Sequence, residues 1–227
     1  TAPEVEGSYE ISVEVRDDKG AATSASTTVL VRNFTPVPGR LLAYYPFSGN
    51  AEDASDNQLD GEAFGARLTT DREGMANSAY LFDGINDRIT VAYDPVLDVE
   101  EAISVSCWIN LSTLPEREMF VLSHGSWQNR WKVSVIPDRL LRWTVNTVDG
   151  IADLDSETVL AENSFYHLTA TYDGDLLALY INGRLESFRN MSGRLRSSSL
   201  PLLMGQMLPG DEQYNFPGVI DEVRLFD

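Results

Sequence analysis

Three observations predict an all-β fold, a two-sheet antiparallel jelly-roll sandwich carrying a short N-terminal β-hairpin. Short segments of alternating apolar residues succeed one another from Leu41 onward. Turn dipeptides separate them: Asp60-Gly61, Asp83-Gly84, Asp149-Gly150, Asp173-Gly174 and Asn182-Gly183. Such pairs supply the positive φ that tight hairpins need. Finally, no long segment carries helical apolar spacing.

The elements follow in order. Residues 1–33 read as a hairpin, with strands Tyr9–Val15 and Ala25–Val31 around a turn at Asp17-Asp18-Lys19-Gly20. A lone two-stranded hairpin is marginal in water, so it is expected to dock on the main domain or to pair through its open edges. Residues 34–39, with Pro36 and Pro38, form a linker, and residues 40–227 form the main domain. Within that domain, Arg130 to Thr147 alternates as a second hairpin. Trp131, Val133 and Val135 with Leu141, Trp143 and Val145 are expected in the core. The opposite row is Arg130, Lys132 and Ser134 with Arg142, Thr144 and Asn146, read either as a solvated face or as a basic row for acidic polysaccharide. Val219 to Phe226 is the closing strand.

Composition limits the partners. Seventeen Lys and Arg against 35 Asp and Glu give a formal charge of -18. Phosphate backbones and anionic lipid both require a positive footprint, so nucleic acid is not an expected partner. No apolar run approaches the length of a membrane span, so no membrane insertion is expected. Cys107 is the single cysteine, which excludes an intrachain disulfide, and its apolar neighbours predict a buried, inert thiol. Thr1 is not a natural start, and the chain reads as part of a longer exported protein.

Several stretches together resemble the laminin-G-like branch of the concanavalin A-like jelly rolls. They are Leu42-Ala43-Tyr44-Tyr45-Pro46-Phe47 with the loop Ser48 to Asp60; Tyr80-Leu81-Phe82-Asp83-Gly84; Tyr166-His167-Leu168 with Tyr172-Asp173-Gly174; Leu179 to Gly183; and Phe216 to Phe226. Asp56 stands where that family usually has glycine. The stretch Gly7 to Gly20 is similar to the closing hairpin of a PKD-type or immunoglobulin-like repeat. The resemblance implies a non-catalytic recognition module of a secreted or cell-surface protein, bacterial in type, working beside the other domains of a larger exported chain. Its expected partner is extracellular carbohydrate; the alternative is a protein-adhesion or spacer module without a sugar site.

Three constellations carry candidate chemistry. Alternation places Asp221 on the side of Val219, Val223 and Leu225, and a carboxylate facing a core needs a partner. That partner is an arginine, a set of backbone N–H groups, or a structural calcium ion. Calcium-binding relatives imply a metal joining an early loop to a late strand, with Asp53, Asn57 and Asp221 as ligands and carbonyls near Gly49 completing the shell. The loop at Trp127, Asn129 and Arg130, paired with the acidic loop at Asp211, Glu212, Tyr214 and Asn215, supplies an aromatic and several polar groups for a sugar. The alternating acids Asp153, Asp155 and Glu157 echo glucanases of the same fold. A retaining pair requires carboxyls about 5 to 5.5 Å apart, and Asp153 replaces the nucleophilic glutamate, so hydrolysis is the less favoured reading.

Overall fold

The computed structural model describes residues 7–16, 22–31, 39–211 and 213–227, with backbone alone in the first two segments. The chain divides into two units, Thr1–Gly39 and Arg40–Asp227. The first contains β1 (Gly7–Arg16) and β2 (Ala22–Val31), paired antiparallel with Tyr9 opposite Val29 and Val13 opposite Ala25. The expected turn at Asp17 to Gly20 and most of the linker lie outside the described residues.

The second unit opens with β3 (Leu41–Tyr45), β4 (Gly61–Phe64), β5 (Arg67–Thr69), β6 (Ala79–Asp83) and β7 (Arg88–Val91). There follow β8 (Ile103–Leu111), β9 (Met119–His124), the helical turn α1 (Ser126–Asn129), β10 (Trp131–Val135), β11 (Leu141–Thr147) and β12 (Gly150–Asp155). The chain then runs through β13 (Phe165–Tyr172), β14 (Leu176–Ile181), β15 (Arg184–Asn190), β16 (Leu202–Met204) and β17 (Pro217–Phe226).

These strands form two antiparallel sheets, one ordered β12-β11-β10-β9-β16-β7-β4 and the other β15-β14-β13-β8-β17-β6-β5, with β3 paired to β17. Four of the expected turns bend as required. Gly84, Gly150 and Gly174 take positive φ, and Asn182 and Gly183 are successive left-handed residues (φ 51° and 76°), the geometry of a tight hairpin.

Period-two alternation explains why the sheets face each other. In β8, Ile103, Val105, Cys107, Ile109 and Leu111 are buried, while Ser104, Ser106, Trp108 and Asn110 lie on the outer face. Burial pushes the Cys107 thiol well above its usual range, so it is an inert filler of the core. From the facing sheet, Trp131 opposite Val145, Val133 opposite Trp143 and Val135 opposite Leu141 project into the same core, as the alternation predicts.

The opposite row of β10 and β11 is not a solvated face. Lys132, Ser134, Thr144 and Asn146 are all buried. Each cation of the row holds an acid: Lys132 pairs with Glu118, Arg142 with Asp155 and Asp153, and Arg130 with Asp98. Burying a charge is tolerable only with such pairing.

Strand β17 closes the domain by lying among three partners. Pro217 to Ile220 pair with β6, Val223 to Phe226 pair with β3, and β8 flanks the other edge. Halfway along, the register slips between Asp221 and Arg224, with Glu222 at φ 53°. A bulge of this kind reverses the side-chain parity of the rest of the strand. Ile220, Val223 and Leu225 therefore point into the core, whereas Val219 and Asp221 point to the outer face. The simple parity reading, with Asp221 among inward-facing residues, is corrected by that bulge.

Candidate binding groove

The two loops expected to grip a ligand are tied to one hydroxyl on β9. Ser123 Oγ accepts a hydrogen bond from the Ser126 N–H (3.0 Å) and donates one to the Met207 carbonyl (2.7 Å). Gly125 and Ser126 are successive left-handed residues that turn the chain sharply into α1. A Cβ on Gly125 would sit 2.9 Å from Asn129 Cβ, so glycine is the residue this turn admits.

Beside α1 lies an open groove of about 830 Å³, lined in part by Gln128, Asn129, Asn146, Ile151, Arg194 and Arg196. Asn146 is its keystone. Its amide donates to the carbonyls of Trp127 (3.2 Å) and Gln128 (2.8 Å), and its Oδ1 accepts from Arg196 Nε (3.0 Å). Arg196 Nε also donates to the Thr147 carbonyl at 3.1 Å. The backbone is pinned here as well, with Val148 N–H donating to Arg194 O and Arg196 N–H donating to Asn146 O. Strand-like alternation then buries Leu195 and turns Arg194 and Arg196 outward. Val148 and Ile151, 53% and 49% exposed, add an apolar rim.

The expected ligand residues do not converge on this groove. Asn129 lines it, donating through Nδ2 to the Gly125 carbonyl (2.8 Å). Trp127, next to Gln128, is 42% exposed. Arg130 is corrected outright: its guanidinium is fully buried and donates to the Asp98 carboxylate and the Val99 carbonyl, out of reach of any external ligand. In the acidic loop, Asp211 accepts from the Gln213 N–H (2.8 Å), an ordinary turn contact. Tyr214 packs edge-on to Phe120 with ring centroids 6.1 Å apart. Glu212 lies outside the described residues. Asn215 lines a different, smaller groove of about 540 Å³, with Ile85, Leu114 and Arg117. The composite site thus divides in two. Arg194 and Arg196, absent from the residues expected at the site, carry a detectable sequence signal in the Arg194-Leu195-Arg196 alternation.

The expected calcium ligands do not fit a common ion. Asp53 spends both oxygens inside its own loop: Oδ1 accepts from the N–H groups of Tyr44 (2.8 Å) and Ser55 (2.9 Å), and Oδ2 from Ser55 Oγ (2.7 Å) and Leu59 N–H (2.9 Å). Those hydrogen bonds outweigh its burial and hold the carboxyl below the usual carboxylate range. Asn57 donates to the Leu42 carbonyl at 2.9 Å. Tyr44 sends both its N–H and its C=O to this loop, which places the loop on the side of β3 away from β17. Asp221 is on β17 itself, opposite Trp108, where it accepts from Arg72 Nη1 at 3.0 Å. Among the described residues, no three His, Cys, Asp or Glu side chains form a group that could hold a metal ion. Arg72 is the partner of Asp221 Oδ2, and Asp221 Oδ1 is buried without a hydrogen-bond partner among the described residues.

The glucanase geometry is likewise not assembled. Strand β12 is at the end of its sheet and stops at Asp155, so Glu157 is an exposed turn residue beyond it. Asp155 is clasped by Arg142 through Nε (2.7 Å) and Nη2 (2.8 Å), and Asp153 accepts from Thr144 Oγ1 (2.6 Å).

Residues 83–227 match the laminin G model described as the concanavalin A-like lectin/glucanases superfamily. The chain belongs to this superfamily. Solved structures with the same fold include the binding domain of Paraclostridial Mosquitocidal Protein 1, at 19% identity and TM-score 0.68, covering 82% of this chain and 48% of that one. Domain 4 of AbnA, an extracellular GH43 arabinanase of Geobacillus stearothermophilus solved in complex with arabinotriose, aligns at 18% identity and TM-score 0.61, covering 83% and 93%. The binding domain of botulinum neurotoxin serotype D aligns at 17% and TM-score 0.60, covering 82% and 48%. The chain spans about half the length of the toxin domains it resembles. No curated protein sequence matches it. In this lectin/glucanase-type domain, no helix among the described residues is long and apolar enough to cross a membrane.

Proposed function

We propose that this domain is a recognition module that binds extracellular carbohydrate and performs no chemistry on it, within an exported protein. The observation that carries this reading is the groove beside α1. Its Gln128 amide and the Asn129 Oδ1 offer donors and acceptors for sugar hydroxyls, while Val148 and Ile151 offer apolar surface for the C–H faces of a pyranose or furanose ring. The backbone hydrogen bonds at Val148 and Arg196, with Asn146 between them, hold that surface in place before any ligand arrives. The likeness to an arabinanase domain solved with arabinotriose supports a sugar as the ligand. In the same reading, the hairpin β1–β2 is the end of a preceding PKD-type repeat.

Isothermal titration against a panel of oligosaccharides tests the reading. Gln128→Ala is expected to weaken binding of the best glycan at least tenfold with no change in melting temperature. Binding that is indifferent to Gln128→Ala and Asn129→Ala would move the sugar away from this groove. One feature favours the adhesion alternative: Ile85 and Leu114, 65% and 41% exposed, flank the smaller groove and resemble a protein-contact surface. Retention of a partner protein that is lost in Ile85→Asp would support that alternative.

A further inference from the structure

We infer that the groove selects an acidic sugar, and that Arg196 is the residue that reads its carboxylate. This inference rests on the carbohydrate reading and names the ligand class within it. Three features of Arg196 lead to it. Its Nε is already spent on Asn146 Oδ1 and the Thr147 carbonyl, so the guanidinium plane is fixed from behind. Its two Nη groups have no hydrogen-bond or ion-pair partner among the described residues, although Asp and Glu are twice as numerous in this chain as Lys and Arg. Finally, the arginine lines an open groove next to Gln128 and Asn129.

The other cations on and behind the groove wall are paired. Arg194, two residues away and about 7 Å along an extended backbone, is neutralised by Glu100 at 2.8 Å. Arg130, Lys132 and Arg142 are each paired with a carboxylate. Arg196 is the groove cation that keeps its fork unpaired, and a planar carboxylate meets such a fork with two parallel hydrogen bonds. A point ammonium would not give the same directional match. The protein's charge of -18 sharpens the class further. A long polyanion would be repelled by the remaining surface, so the ligand is a glycan with an isolated or terminal uronate among neutral sugars.

The test uses the full chain and an array of uronate-bearing glycans, each printed beside its carboxyl-reduced neutral form, followed by titration of the best pair. The acidic member is expected to bind at least tenfold tighter at low salt, with the gap shrinking as salt rises. Arg196→Gln should abolish the gap, the acidic member losing at least tenfold more affinity than its neutral form. Arg196→Lys, which keeps the charge and loses the fork, should recover only part of it. If neutral and acidic members bind equally and Arg196→Gln changes neither, the inference is overturned while the carbohydrate reading stands. If no member of either class binds, both are overturned. Melting temperatures of the two variants distinguish a lost contact from a lost fold.

Discussion

Arg72 lies between Trp108 and Asp221: its guanidinium carbon is 4.7 Å from the Trp108 ring centroid, and its Nη1 donates to Asp221 Oδ2 at 3.0 Å. Asp221 is only 1% exposed and Arg72 is 25% exposed, so the arginine is a cap over a carboxylate on the outer face of the sheet. Removing the cap leaves a buried charge without a partner. Arg72→Ala is expected to cost about 3 kcal/mol, the lower end of the range for breaking a buried pair because Arg72 keeps contact with water. A chelator should leave the melting temperature where it is, because Asp53 spends both oxygens on protein donors and Asp221, on the other side of β3, is paired through Oδ2 with Arg72. Calorimetry with and without chelator checks both statements. A melt lowered by the chelator and unaffected by Arg72→Ala would reverse the assignment.

The same pair gives the protein a pH signature. Burial pushes Asp221 up to about 6, Glu222 adds to the rise, and Arg72 opposes it. Burial also holds His124 down to about 4, helped by the charge on Arg130. Folded Asp221 binds more protons than the unfolded chain does, so its contribution to stability is full below about pH 4 and is lost as pH rises through about 6. His124 acts in the opposite sense: its contribution is full above about pH 6.5 and is lost as pH falls through about 4. Across the window from about pH 4 to 6 the two largely cancel. Asp221→Asn removes one of them, and the variant's melting temperature should climb more steeply from pH 4 to 6.5 than the wild type's. Parallel profiles for the two proteins would count against the buried, titrating carboxylate.

Much of this architecture is legible in the sequence because it rests on period-two alternation, which a sequence displays directly. Trp131, Val133 and Val135 occupy the core with Leu141, Trp143 and Val145 because nothing interrupts the pleat of that hairpin. Strand β17 is legible as the closing element but not in its parity, since a bulge at Glu222 leaves no mark in an apolar pattern. The need of Asp221 for a partner is legible too. That partner, Arg72, comes from an irregular segment 149 positions away, and no local rule reaches so far. The binding loops differ from expectation for another reason. Arg130 belongs to a loop with an exposed aromatic and several polar groups, but Asp98 draws it inward. Arg196 leaves only a weak sequence signal, because the Arg194-Leu195-Arg196 alternation is too short to register as a strand, although it borrows strand geometry from Asn146 and Val148.

The paired cations of the β10–β11 hairpin make a separate prediction. Lys132 is only 2% exposed, pairs with Glu118 and donates to Ser134 Oγ at 2.8 Å, while Glu118 is 25% exposed. Its ammonium also sits 5.0 Å from the centroid of the Phe120 ring. Burial lowers the lysine's pKa, and Glu118 opposes that shift without removing it. The desolvation cost of such a pair offsets much of its attraction, so replacing both members with apolar residues of similar size should be nearly neutral, within about 1 kcal/mol. Removing one member is different. Glu118→Ala leaves the ammonium stranded under the sheet and should cost about 3 kcal/mol, whereas Lys132→Met, which leaves a partly hydrated carboxylate, should cost less. A double-mutant cycle on Lys132→Met and Glu118→Leu, measured by denaturant unfolding, separates these effects. If the double variant is as unstable as Glu118→Ala, then the pair contributes net stability and the outer row is held by electrostatics rather than by the packing around it.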